Sequence, residues 1–238
     1  MSAKVLSSQA EIEGARNELR HMGASFLSSP VARVLRRLGV KRWIDVGDYY
    51  KSWDVLMTAR LIQEHLPKEA PVLDIGAYGS EILCILARLG YTNLTGVDLN
   101  SLIRFMPNLG VIRYVVADFM QSPFPDASFA AITATSVIEH GFHCERLLKE
   151  VSRLLRPGGY FLASFDYWPE KIDTNGIRIF NMDWTIFSRE EVLSFVREAG
   201  ARKLKAVGTL DLGATNKVVD WEGKSYTFAW LAIQKSAL

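Results

Sequence analysis

Val72 to Leu83 reads VLDIGAYGSEIL. An apolar run ending in an acid and a glycine, followed at once by a helical apolar pattern, is a strand turning tightly into a helix. That unit commits the chain to a parallel α/β sheet, because parallel strands need a crossover, usually a helix, between them. Downstream, apolar runs place strands at 71–77, 93–98, 112–117, 129–136 and 159–166, with helices at 80–89, 142–155 and 189–199. Leu147, Leu148, Val151, Leu154 and Leu155 share one face of the second helix, and the third opens with a capping box, Ser188 with Glu191, and ends at Gly200. After Gly200 the rhythm changes. ARKLKAVGTLDLG and SYTFAWLAIQKS read as two strands with no helix between them, expected to pair antiparallel at the sheet edge.

The first seventy residues carry helical patterns. SSQAEIEGARNELRHM sets Ile12, Ala15, Leu19 and Met22 on a thin stripe, and Ser52 to Leu66 gathers Val55, Ala59, Ile62 and Leu66. Between them SPVARVLRRLGV has Ser29 as a cap and Pro30 at the first helical position. Residues 1–70 are thus expected to form a helical cap or lid, and 71–238 the core. Arg33, Arg36, Arg37, Lys41 and Arg42 form either a solvated basic face or a contact for an anionic partner or membrane surface.

The net charge of +2 gives no call for a nucleic-acid partner, and no apolar run approaches the roughly 18 residues of a membrane helix. The opening MSAKVLSSQAEIEG lacks the apolar centre of a signal peptide. Cys84 and Cys144 have no metal-ligand spacing and read as reduced packing residues. The expectation is a cytoplasmic protein with no transmembrane segment and no metal; nothing in the sequence sets its oligomeric state.

Ligands of an open parallel sheet sit beyond the carboxyl ends of the strands. Three acids lie there: Asp74 in the first strand, Asp98 ending the second and Asp118 ending the third. Asp98 suits the two hydroxyls of a ribose. Asp118 suits an adenine amino group, with Phe119 covering the ring. A dinucleotide would want G-x-G-x-x-G against its pyrophosphate, and GAYGSE does not supply it. S-adenosylmethionine has no phosphate, and its sulfonium and ammonium tolerate a nearby acid.

In this the chain resembles the class I S-adenosylmethionine-dependent methyltransferases of the small-molecule group. The resemblance rests on VLDIGAYGSE, GVDLN, ADFMQSPFPDASFAAITATSVIEH and LLKEVSRLLRPGGYFLAS, in that order. It implies a Rossmann-like seven-stranded sheet, mostly parallel with an antiparallel last strand and helices on both faces. It also implies S-adenosylmethionine as cofactor, held by Asp74, Gly76, Ala77, Tyr78, Gly79, Asp98, Leu99, Asp118, Phe119 and Ser136. The family's loop reads D-x-G-x-G-x-G, and here Tyr78 stands at the second glycine and Ser80 at the third. Gly79 is expected to take the strained backbone in place of the missing glycine.

TSVIEH after the fourth strand stands where amino-methylating nucleic-acid enzymes carry a Pro-Pro-Tyr-type tetrad, so the acceptor is expected to be a small molecule. His140 is the candidate base for a hydroxyl or amine acceptor, the alternative being a residue that only shapes the pocket. His143 reads as a surface residue. Glu139, Asp166, Tyr167 and Trp168 are the candidate acceptor contacts, with Trp184 beside them; the aromatic residues could instead form a small core fixing the long loop after strand five. Tyr49, Tyr50 and Trp53 either lid the cofactor or pack on the sheet edge. The expected activity is methylation of a hydroxyl or amine of a small, sugar-containing or secondary metabolite. A module that binds the cofactor without turnover is the alternative.

Overall fold

A computed structural model describes residues 3–27 and 46–237. The basic segment 33–42 and the helical pattern opening at Ser29 lie outside the described residues.

The spine is five parallel strands. β2 (Val72–Ile75) pairs with β3 (Leu94–Asp98), and β3 with β4 (Ile112–Val116); on its other side β2 pairs with β5 (Phe129–Thr135), and β5 with β6 (Leu155–Tyr167). Chain direction across the sheet therefore reverses between β2 and β5, the place where open α/β sheets bind ligands. β11 (Lys224–Lys235) runs antiparallel to β6 over eight residue pairs, Thr227↔Tyr167 to Gln234↔Tyr160. This is the antiparallel last strand expected from the sequence.

Three short strands share the outer edge of β11. β9 (Leu204–Ala206) pairs with Ile233–Lys235, β1 (Ala3–Val5) with Ala229–Leu231, and β10 (Val219–Trp221) with Lys224–Tyr226. Together they cover an edge that would otherwise expose unpaired backbone groups. β1 corrects the expectation of a wholly helical N-terminal segment: residues 3–5 belong to the core sheet. Three residues are too few to show a strand period, and the pairing is set by the open edge of β11. β7 (Arg178–Ile179) and β8 (Met182–Asp183) form a separate hairpin.

The helices bury one core on each face. α1 (Gln9–His21), α2 (Ser52–His65) and α3 (Ile82–Arg88) enclose Ile12, Leu19, Ile62, Ile85 and Leu162. α4 (Cys144–Leu154) and α5 (Arg189–Gly200) enclose Leu148, Val151, Phe161, Phe165 and Phe195. Alternate residues of β6 serve opposite cores, as a period of two requires. The α4 stripe of Leu147, Leu148, Val151 and Leu154 is fully buried, and truncating one such leucine to alanine costs about 2–5 kcal/mol. The Ser188–Glu191 capping box is formed at the start of α5. Both cysteines are free, Cys84 buried and Cys144 half-buried. Among the described residues no helix is long and apolar enough to cross a membrane.

Candidate functional site

A cavity of about 1220 Å³ opens at the carboxyl ends of the parallel strands, across the β2/β5 reversal. Its first half is built by the turns after β2, β3 and β4. Gly76 has φ +68° and Gly79 φ +78°, so both glycines take the left-handed backbone. The expectation for Gly79 holds, and Gly76 shares the role. A Cβ on Gly76 would stand 2.4 Å from Val137 Cγ2, which leaves no room for a side chain there. Between the glycines, the Tyr78 N–H donates to Asp98 Oδ2 at 3.0 Å, and the Asn100 N–H donates to Asp98 Oδ1 at 2.7 Å. Two backbone donors thus fix the Asp98 carboxylate at the strand end while each oxygen retains a free lone pair. Asp118 is held similarly by the Met120 N–H at 2.8 Å. Tyr78, Gly79, Leu99, Phe119 and Ser136 line the same space.

Two expected contacts do not reach the cavity. Asp74 is fully buried beneath the loop, and its Oδ1 accepts the Thr133 hydroxyl at 2.6 Å. Burial pushes its carboxyl up to about 7, against the pull of Thr133 and Ser80. Ala77 is buried with its Cβ near Gly96 and does not line the cavity. Both act through the loop they support.

The other half is lined by β5, β6 and β11 residues and by the start of α2. Here Glu139, His140 and Asp166 come together, as expected, and Lys51, Tyr226 and Phe228 join them. Lys51 Nζ lies 3.8 Å from Asp166 Oδ1 and 3.2 Å from the centre of the Phe228 ring. Asp166 Oδ2 accepts the Trp184 indole N–H at 2.8 Å. Glu139 is 1% exposed, and neither of its carboxylate oxygens has a hydrogen-bond partner among the described residues. Burial, then the Asp166 carboxylate, push Glu139 well above the usual carboxylate range, with Lys51 pulling back. Burial likewise raises Asp166. His140 is lowered to about 4 by burial and by Lys51, which keeps the imidazole neutral; its Nδ1 has no partner among the described residues, and its ring meets Phe180 edge-on at 5.3 Å.

Tyr167 and Trp168 are corrected as acceptor contacts. Tyr167 follows Asp166 in β6 and so faces the opposite core, where its hydroxyl donates to the Leu212 carbonyl at 2.7 Å. Trp168 lies outside the cavity with Lys217 over its ring. Trp184 is core: it packs against Trp221 and Tyr226 and orients Asp166. Tyr50 lines the cavity, Trp53 is buried in the core, and His143 is an exposed cap of α4. Sequence reasoning missed Lys51, Tyr226 and Phe180. No motif carries them, although Phe180 stands between apolar runs in the long loop after strand five. The residues present fit an adenosine-bearing cofactor: a glycine turn that admits no Cβ, then anchored carboxylates at two successive strand ends.

Comparison with known proteins agrees with this geometry. Residues 73–163 match the family model of a methyltransferase domain. The chain is similar to a sterol 24-C-methyltransferase of Gibberella zeae, 42% identical over 50 residues, which are 21% of this chain and 13% of that protein. It is also similar to a fatty-acid O-methyltransferase of Mycolicibacterium smegmatis, 33% identical over 96 residues, covering 38% of this chain and 35% of that one. The chain thus spans only about an eighth to a third of these relatives. Among solved structures, it shares its fold with the geranyl diphosphate C-methyltransferase of Streptomyces coelicolor A3(2), at TM-score 0.55 and 16% identity, over 87% of this chain and 99% of that one. The match over residues 73–163 and the shared fold agree with the S-adenosylmethionine-dependent methyltransferase resemblance carried by the sequence motifs.

Proposed function

We propose that the protein transfers a methyl group from S-adenosylmethionine to a hydroxyl or amine of a small molecule. The observation that carries this is the continuity of one cavity. Gly76, Asp98 and Asp118 line one half, and Glu139, His140 and Asp166 line the other. Bound S-adenosylmethionine supplies an activated methyl, and positioning alone accounts for roughly 7–11 kcal/mol of such a reaction's barrier. The chain supplies the ribose and adenine acids, the turn that admits the cofactor, and polar groups at the acceptor. His140, neutral at physiological pH, is free to accept a proton from a hydroxyl. No metal is required.

The N-terminal residues serve as a cap whose Asp48, Tyr50 and Lys51 close the acceptor half. Phe180 and Trp221 at the wall suit an acceptor with an apolar portion, and lend no support to a purely sugar-like one. The reading has the enzyme acting in the cytoplasm on small molecules rather than nucleic acid. A second reading, a carbon acceptor, is favoured by similarity to the sterol 24-C-methyltransferase.

The test is a screen of small amines, alcohols and isoprenoid alkenes with detection of S-adenosylhomocysteine. Turnover of amines or alcohols supports the first reading. Turnover of alkenes alone supports the second, and turnover of tRNA or protein alone overturns both.

A further inference from the structure

We propose that the acceptor is a basic amine, bound through its nitrogen by Glu139 and Asp166, and that Glu139 takes the amine's proton. This rests on the methyl-transfer reading above and names its substrate class.

The geometry is specific. Glu139 lines the cavity yet is almost fully buried, with both oxygens unpartnered among the described residues. A buried polar group in a folded protein meets a partner, and a buried charge meets an opposite one. Asp166, 3% exposed, uses one oxygen for the Trp184 indole, and its other oxygen faces Lys51 at 3.8 Å. Asp48 lines the same wall. Among the described residues of this half, Lys51 is the one cation beside Glu139, Asp166 and Asp48, and part of its charge is directed at the Phe228 ring. Tyr226 and Phe228 present aromatic surface beside the acids, which favours a cation further. A basic nitrogen in this space would give the buried Glu139 oxygens the donors they lack.

The steps balance. An ammonium R–NH3⁺ gives one proton to the Glu139 carboxylate and becomes R–NH2. Its lone pair forms the N–CH3 bond as the S–CH3 bond breaks, and the electron pair of that bond stays on sulfur. The products are R–NH2⁺–CH3 and a neutral thioether. Positive charge therefore moves from sulfur to nitrogen, beside Asp166, which stabilises it where it develops, while Glu139 holds the proton that the ammonium gave up. The raised proton affinity of Glu139 suits the first step.

The test uses the full chain and a matched pair of probes, benzylamine and benzyl alcohol. Each is titrated by NMR into the free protein and into the protein saturated with S-adenosylhomocysteine. Benzylamine should bind at least about tenfold more tightly than benzyl alcohol in the S-adenosylhomocysteine complex, and Glu139→Gln should erase that preference while S-adenosylhomocysteine still binds. Equal affinity of the two probes for the wild-type complex overturns the proposal without any variant. Displacement of S-adenosylmethionine by benzylamine also overturns it, since the acids would then belong to the cofactor. Failure of S-adenosylhomocysteine to bind at all overturns the methyl-transfer reading itself, and with it the assignment of these acids to an acceptor.

Discussion

Arg16 and Glu81 form a two-pronged ion pair, Nη1 to Oε1 and Nη2 to Oε2, both at 2.8 Å and both shielded from water. Arg16 lies on the buried stripe of α1, and Glu81 follows the glycine turn at the N-terminus of α3. The pair therefore ties the N-terminal helix to the cofactor loop. Glu81 also accepts the Phe26 N–H at 2.5 Å, and the Gly47 N–H donates to the Gly79 carbonyl at 2.8 Å. Removing one partner leaves the other charge buried and unpaired, which costs about 3–5 kcal/mol. Arg16→Met should lower unfolding free energy by that order in urea denaturation. Arg16→Met with Glu81→Met should cost less than the two single changes added together. Strict additivity would show that the two side chains do not act as a pair.

Asp98→Asn should weaken S-adenosylhomocysteine about 10- to 100-fold, the loss of charge-assisted hydrogen bonds worth about 1.5–3 kcal/mol each. Asparagine keeps the shape and can still meet one of the two backbone donors from Tyr78 and Asn100. An unchanged dissociation constant in the folded variant would remove Asp98 from the ribose site.

Gly76→Ala should bind the cofactor far more weakly than wild type, because both the φ of +68° and the Val137 side chain oppose a Cβ. Gly79→Ala should also be impaired, through its φ of +78°. Tyr78→Gly should be affected only modestly, since its tie to Asp98 runs through the backbone N–H. Normal calorimetric binding by both alanine variants would contradict the loop assignment.

Phe180 sits at the tip of the β7–β8 hairpin with φ +53°, beside Asn181 at +63°, and is 75% exposed. A bulky residue in the left-handed region costs about 1–3 kcal/mol, and here it lines the cavity against His140. Phe180→Gly should leave the melting temperature unchanged or raised, while raising the acceptor KM several-fold with cofactor affinity kept. A clear loss of stability with unaltered KM would make Phe180 a packing residue.

Stability should fall as pH rises from about 4 to about 7. Burial lifts the Asp54 carboxyl from 3.8 to about 7; Lys51 and Ser164 pull it down, and Asp166 and Asp48 push it up. Asp74 is lifted to about 7 as well. Between those limits the native state holds protons that the unfolded chain has released, so each group favours unfolding progressively as pH increases. Asp54→Asn should flatten this slope and be the more stable protein at pH 8. Denaturant midpoints measured across the range decide it; an unchanged slope in the variant would mean Asp54 is not the titrating group.

The parallel core was legible because β2, with all four residues buried, and the α4 stripe carry their own periodicity. Asp98, Asp118 and the glycine turn were legible because strand ends collect ligand contacts in any such sheet. β1 was not, since a three-residue strand exists only through pairing with β11. Lys51 was hidden for a similar reason: it meets Asp166 more than a hundred positions away, through the packing of α2 onto the sheet. Tyr167 is turned from Asp166 to the opposite face by the alternation of β6, and Trp168 lies past the end of that strand, outside the cavity, so nearness in sequence to Asp166 placed neither at the site.

Isothermal titration of the intact protein with S-adenosylhomocysteine, S-adenosylmethionine and NAD tests the cofactor assignment most directly. One site should take both S-adenosyl compounds, with NAD at least a hundredfold weaker. Binding of NAD with no signal from either S-adenosyl compound would contradict it.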